Sequence, residues 1–197
     1  MAKRVEFFFD YISPASYFAN LLLPDIAERT GAEIGYRPFL LGGVFKASGN
    51  TTPLSIPAKG KWMIKDLMRF AKRYQVPFEL NPHFPFPTIN LVRGAIWIQD
   101  TDQDLVSYSN TVFQAAWAEK RNLGDDEEVH KILKSLKLSS KDFFEAISRQ
   151  KIKDKLRANT DEAVQRGAFG APTLFVGDEM FWGQDRLDFV EEALSAQ

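Results

Sequence analysis

The chain has 197 residues, enough for one substantial domain or for one compact domain carrying an insertion of similar size. With 45% apolar residues, 17 Phe among them, it has the material for an aromatic-rich core, and 25 basic against 26 acidic residues leave no net field to draw nucleic acid or an anionic membrane. It has no cysteine, which excludes structural disulfides, thiolate metal sites and thiol redox chemistry on its own side chains. Its two histidines leave few ways to build a metal centre or a Ser-His-Asp triad.

The first predicted element is a Phe-rich strand, Val5 to Phe9, followed by Ser13-Pro14-Ala15-Ser16 and a helix. A Ser before a Pro is an ordinary helix start, with Ser13 as N-cap and Pro14 at the first helical position. Ala15, Phe18, Leu22 and Ile26 recur at helical spacing, and the helix ends near Thr30-Gly31, where glycine takes the left-handed position. Glu33 to Pro38 is the second strand; a βαβ unit of this length makes parallel neighbours, and Pro38 stops that strand or keeps it at an edge.

Gly42, Gly43, Gly49, Pro53 and Pro57 make residues 40–58 an expected long loop, the start of an insertion. From there to about Arg166 the periodicity is helical. Ile64, Leu67, Met68 and Ala71 form one expected apolar stripe, and Ser109, Val112, Phe113, Ala116 and Trp117 another. The Pro-rich Asn81-Pro82-His83-Phe84-Pro85-Phe86-Pro87 excludes a regular element, and its aromatics either plug the core or line a pocket, with Phe84 the candidate to touch a substrate. His83 is expected to be a loop residue and His130 a solvated one. Asp125-Asp126-Glu127-Glu128 suit the positive end of a helix dipole, so no metal site is assigned to them; Ser139 and Ser140 suit a further helix start. The chain then returns to strands: Thr173 to Val176, a turn at Gly177-Asp178, and Met180 to Trp182, before a final helix from Gly183-Gln184-Asp185 with Leu187, Val190 and Leu194 on its buried face.

The order βαβ, helical insertion, ββα, with a Pro just before the third strand, resembles the DsbA-type thioredoxin fold, an α/β class. Residues 1–45 and 167–197 would form the discontinuous thioredoxin-like domain and residues 46–166 the inserted helical domain. In that fold, Ser13-Pro14-Ala15-Ser16 stands where redox enzymes carry Cys-x-x-Cys. The segments Phe9-Asp10-Tyr11-Ile12-Ser13-Pro14-Ala15-Ser16-Tyr17, Ser48-Gly49-Asn50, Phe169-Gly170-Ala171-Pro172 and Gly183-Gln184-Asp185-Arg186 resemble, in that order, the signatures of kappa-class glutathione transferases and 2-hydroxychromene-2-carboxylate isomerases.

The resemblance implies that Ser13 is catalytic and contacts the thiol of bound glutathione, the cofactor. It implies further that Pro172 is a cis proline, that the Ala171 backbone pairs with the cysteinyl backbone of the tripeptide, and that Trp182, Gly183, Gln184 and Asp185 hold its γ-glutamyl end, with Asn50 adding a polar contact. Lys46 would meet the carboxylate of a small-molecule substrate. Where family members acting on naphthalene-derived acids carry an Asn-Arg pair, this chain has Ser55-Ile56. The leading expectation is a glutathione-dependent cis-trans isomerase of aromatic catabolism. A kappa-class-like transferase is the alternative enzyme, and a non-catalytic, peptide-binding thioredoxin module is the alternative of another class. Kappa-class relatives suggest a homodimer. Met1-Ala2-Lys3-Arg4 leads straight into a strand and no apolar stretch reaches 18 residues, so a cytoplasmic protein without a membrane span is expected.

Overall fold

A computed structural model describes residues 3–196. Residues 1, 2 and 197, which the expected domain limits include, lie outside the described residues. Strand β1 (Arg4–Phe9) is buried on both faces, which is why its sequence is a continuous run of Phe instead of an alternation. Its period of two sends Val5, Phe7 and Phe9 into the larger of two hydrophobic clusters and Phe8 into the smaller. Each buried Phe contributes roughly 1.5–3 kcal/mol, so this one strand anchors both sides of the fold.

Helix α1 (Pro14–Thr30) follows, ended by Gly31 at φ 67°, and leads into β2 (Glu33–Pro38), parallel to β1 with Val5 opposite Ile34 and Phe9 opposite Pro38. The sheet order is β2-β1-β3-β4, so β2 is an edge strand, as Pro38 suggests. Strands β3 (Thr173–Val176) and β4 (Glu179–Trp182) are antiparallel to their neighbours and complete the four-stranded sheet.

Between the two halves lie α2 (Leu41–Ser48), a 3-10 turn at Pro53–Ser55, α3 (Pro57–Tyr74), α4 (Ile89–Asp100), α5 (Leu105–Trp117), α6 (Asp126–Ser135), α7 (Ser140–Ser148) and α8 (Gln150–Gln165). Helix α9 (Leu187–Ser195) packs against α1, with Leu187, Val190 and Leu194 buried as their spacing predicts. Asp125 caps α6 and Ser139 caps α7 through their side chains. Ser109, Val112, Phe113, Ala116 and Trp117 form the buried face of α5.

Three expectations need correction. The stretch expected to be loop contains α2: Val44 inserts into the cluster around Phe8 and Phe39, and the Leu41 N–H is held by a buried carboxylate, so tertiary partners override the weak helix propensity of Gly42 and Gly43. Residue 46, the expected start of the insertion, therefore lies inside a helix. On α3, Met68 is exposed; the buried face runs through Leu67 and Ala71, with Met63, Phe70 and Tyr74 half-buried beside them. Finally, residues 184–186 form a separate 3-10 turn and α9 begins only at Leu187, because Gly183 at φ 99° turns the chain to give its N–H to the Pro172 carbonyl.

Candidate active site

Ser13 is the N-cap of α1, in extended backbone geometry with Pro14 at the first helical position. Its Oγ accepts the Ser16 N–H at 3.1 Å, satisfying one of the helix's free donors. The same hydroxyl donates to the Ala171 carbonyl at 3.0 Å, across 158 residues of chain. The Ala171-Pro172 bond is cis, as expected, and Gly183 N–H donates to the Pro172 carbonyl at 3.1 Å. The fold thus brings Ser13, Ala171, Pro172 and Gly183 to one place.

The loop between β1 and Ser13 is held from several directions. Tyr11 is fully buried; its hydroxyl shares a hydrogen bond with Ser109 at 3.0 Å, and its carbonyl accepts the Trp117 indole N–H at 2.9 Å. Burial pushes the Tyr11 hydroxyl far above its ordinary pKa, so it remains neutral. The Asp10 carboxylate accepts from the Thr88 hydroxyl at 2.6 Å, the Leu41 N–H at 2.9 Å and the Ile12 N–H at 3.2 Å. Burial raises its pKa against the opposing pull of those donors. Tyr17, on the first turn of α1, donates to the Pro77 carbonyl at 2.7 Å, and burial pushes its pKa up to about 12.

Asn50 sits beside the Pro172 loop, but its amide donates to the Phe169 carbonyl at 2.7 Å and its oxygen accepts the Thr51 N–H, so it ties the end of α2 to that loop. Trp182, 47% exposed, lies with its ring centroid 4.9 Å from that of Phe169 and packs so closely on Gly170 that a Cβ there would stand 2.4 Å from its indole nitrogen. Gln184 is buried and Asp185 exposed, and both line a groove of about 480 Å3 with Leu22, Phe70, Arg73 and Tyr74. Lys46 is exposed on α2. Phe84 is half-buried against Trp117, at 5.5 Å between centroids, beside the buried Phe86.

His83 and His130 are exposed, the latter against Phe144. Among the described residues no group of three or more His, Cys, Asp or Glu could hold a metal ion. Sequence reasoning missed Asp10 and Thr88 as supports of Ser13. An acid directly after a run of three Phe was the one available signal for Asp10, and Thr88 had none.

Chemically, the arrangement offers a polarised hydroxyl at a helix N-terminus beside the backbone of a residue preceding a cis proline. A ligand thiolate placed there would be favoured by one charge-assisted hydrogen bond and by the helix dipole.

The family model for the DSBA-like thioredoxin domain matches residues 4–195. The chain is 35% identical to a 2-hydroxychromene-2-carboxylate isomerase of Sphingobium xenophagum over 98% of its own length and 99% of that protein's. It is 29% identical to glutathione S-transferase kappa 1 of Caenorhabditis elegans, covering 97% of this chain and 90% of that one. A solved structure of 2-hydroxychromene-2-carboxylate isomerase superimposes with a TM-score of 0.88 at 30% identity, over 98% of this chain and 95% of that one.

Proposed function

Because this chain belongs to the DSBA-like thioredoxin family and, within it, to the 2-hydroxychromene-2-carboxylate isomerases, we propose that it is a glutathione-dependent isomerase of an unsaturated, aromatic-derived acid. The observation that carries the reading is the Ser13 hydroxyl, at the N-terminus of α1 and 3.0 Å from the Ala171 carbonyl, in a chain with no cysteine. The site is built to manage a thiol, and a ligand must bring it.

In this reading the cysteinyl backbone of glutathione pairs with Ala171 as a one-residue strand addition. Its N–H takes over the Ala171 carbonyl and releases the Ser13 hydroxyl, which turns to donate to the sulfur. Gln184 and Asp185 receive the γ-glutamyl end in their groove, Trp182 and Gly183 shape its approach, and Asn50 keeps the Pro172 loop in place. Lys46 meets the substrate carboxylate, with Phe84 a further substrate contact. The hemiketal ring opens first: the ring C–O bond breaks, the hydroxyl proton passes to the phenol oxygen and the ketone forms. Thiolate attack on the resulting conjugated double bond then forms a C–S bond and sends its electrons to the carbonyl, giving an enolate. The former double bond rotates, the carbonyl re-forms and the thiolate leaves, so no oxidant is needed and glutathione is regenerated. The substrate pair is 2-hydroxychromene-2-carboxylate and its trans-benzylidenepyruvate isomer.

Lowering a thiol pKa of about 8.5 by roughly two units requires about 2.7 kcal/mol. A hydrogen bond to a charged group gives about 1.5–3 kcal/mol and the helix end about 0.3–1, so Ser13 and α1 suffice together. Attack gains little, because a Brønsted slope of about 0.4–0.5 removes nearly tenfold of nucleophilicity over those two units. Departure gains throughout, which suits a reaction in which the same thiol adds and leaves.

The test is an absorbance assay with 2-hydroxychromene-2-carboxylate, with and without glutathione, and a thiol count before and after. Turnover should need glutathione without depleting it, and Ser13→Ala should lower kcat about 10- to 100-fold. Undiminished turnover in Ser13→Ala rejects the mechanism, and stoichiometric loss of glutathione identifies a kappa-like transferase instead. We also place the enzyme in the cytoplasm as a homodimer, the latter supported by Ile56, Trp62 and Met68, large apolar side chains exposed on α3 and the residue before it.

A further inference from the structure

Asp10 follows β1 with its side chain only 1% exposed, and no Lys, Arg or His among the described residues forms an ion pair with it. The three donors to its carboxylate, two backbone N–H groups and one hydroxyl, are neutral and come from three parts of the fold. Ile12 N–H (3.2 Å) belongs to the loop that delivers Ser13, Leu41 N–H (2.9 Å) is the first amide of α2, and Thr88 Oγ1 (2.6 Å) is the N-cap residue of α4. The Asp10 carbonyl also accepts the Ser13 N–H at 3.1 Å.

Neither Leu40 nor Thr88 caps its own helix through its side chain. One carboxylate therefore faces the starts of α2 and α4 and braces the start of α1, where three positive helix ends converge. For stability alone a well-packed apolar residue would serve as well or better than a buried carboxylate. What the carboxylate adds is direction: Oδ1 accepts from the Ser13 loop and from the start of α4, and Oδ2 from the start of α2.

We propose that Asp10 is a positioning residue of the isomerase: it locks the Ser13 loop, the start of α2 and the start of α4 into one register. Ser13 then meets the sulfur while the α2 arm, bearing Lys46 with Asn50 just beyond it, faces the substrate. This inference rests on the glutathione-isomerase reading above. Apart from Ser13 at the sulfur, the residues that receive the glutathione backbone and its γ-glutamyl end, Ala171, Gln184 and Asp185, lie near β3 and β4 and make no hydrogen bond to the Asp10 side chain. Loss of register should therefore reach the chemical step before it reaches cofactor affinity.

The experiment uses Asp10→Asn, which keeps the shape but cannot accept all three bonds, and Thr88→Val, which removes one donor at constant volume. Glutathione affinity is measured by calorimetry, kcat with the hydroxychromene acid, and bound thiolate by its ultraviolet absorbance. In Asp10→Asn, kcat should fall by about tenfold or more and thiolate absorbance should drop, with glutathione Kd within about threefold of wild type. Thr88→Val should lose about three- to tenfold in kcat, and the double variant no more than Asp10→Asn alone, because both act through one bond network. A kcat within about threefold of wild type in both variants overturns the proposal, as does a Kd that rises in step with the loss of kcat, the mark of a merely structural role. If Asp10→Asn does not fold, Thr88→Val decides by the same criteria. Wild-type protein that neither binds glutathione nor turns over the acid would instead reject the underlying functional reading.

Discussion

At the scale of single residues, the site depends on side chains whose donors and acceptors are committed to distant backbone. Ser13 accepts from Ser16 and donates to Ala171, so its capping role and its proposed catalytic role use different parts of one hydroxyl: capping uses a lone pair, and the O–H is left to donate a hydrogen bond to the sulfur. Asn81 shows the same economy in a structural role. Buried in the Pro-rich segment, it donates to the carbonyls of Ala116 and Arg121 at 2.8 and 2.9 Å and accepts the His83 N–H at 2.9 Å. Those bonds seat Phe84 and Phe86 against Trp117, whose indole holds the Tyr11 carbonyl two residues before Ser13. Asn81→Leu leaves buried carbonyls and an amide without partners, at about 1–3 kcal/mol for each that water cannot reach. A loss of about 2–4 kcal/mol in urea unfolding is expected; a loss below about 0.5 kcal/mol would show that the loop is held by its aromatics alone.

At the scale of elements, close helix packing frames the insertion. Gly94 on α4 is where Phe143 of α7 and Tyr108 of α5 approach; a Cβ there would lie 2.3 Å from the Phe143 ring and 2.5 Å from the Tyr108 hydroxyl. Both neighbours are fully buried, so neither can swing into solvent. Gly94→Ala gains about 0.8–1 kcal/mol of helix propensity but incurs about 1–3 kcal/mol or more of overpacking. The overpacking wins because the Tyr108 hydroxyl is also tied to the Leu91 carbonyl at 3.0 Å. The midpoint of urea unfolding should therefore fall, and a rise would mean that α7 moves freely away from α4. Periodicity located the buried face of α5 because five of its residues repeat cleanly. It misplaced Met68 on α3, where only part of the helix surface is covered and apolar residues occur on both sides.

At the scale of the whole molecule, exposed apolar surface near the start of α3 is the feature that a single chain leaves unexplained. Trp62 is 60% exposed, with exposed Ile56 six residues before it and exposed Met68 six residues after it. If a second copy covers this face, light scattering at tens of micromolar should give twice the 22.4 kDa chain mass, and Trp62→Lys should shift it toward one chain. A single-chain mass for the unaltered protein rejects the dimer.

The sequence by itself determined the βαβ and ββα halves, the helical character of the stretch between them, the cap at Ser13 and the turn at Gly31. These follow from capping, hydrophobic period and glycine conformation, whose partners lie within a few residues. Its motifs also pointed to Ser13 and Pro172 as parts of one site. The tertiary structure alone decided that residues 41–48 are helix, that residues 184–186 form a 3-10 turn, and that one carboxylate, Asp10, gathers donors from residues 12, 41 and 88. Those outcomes depend on groups far apart in the chain, and such contacts exist only once loop closure and core burial have brought them together.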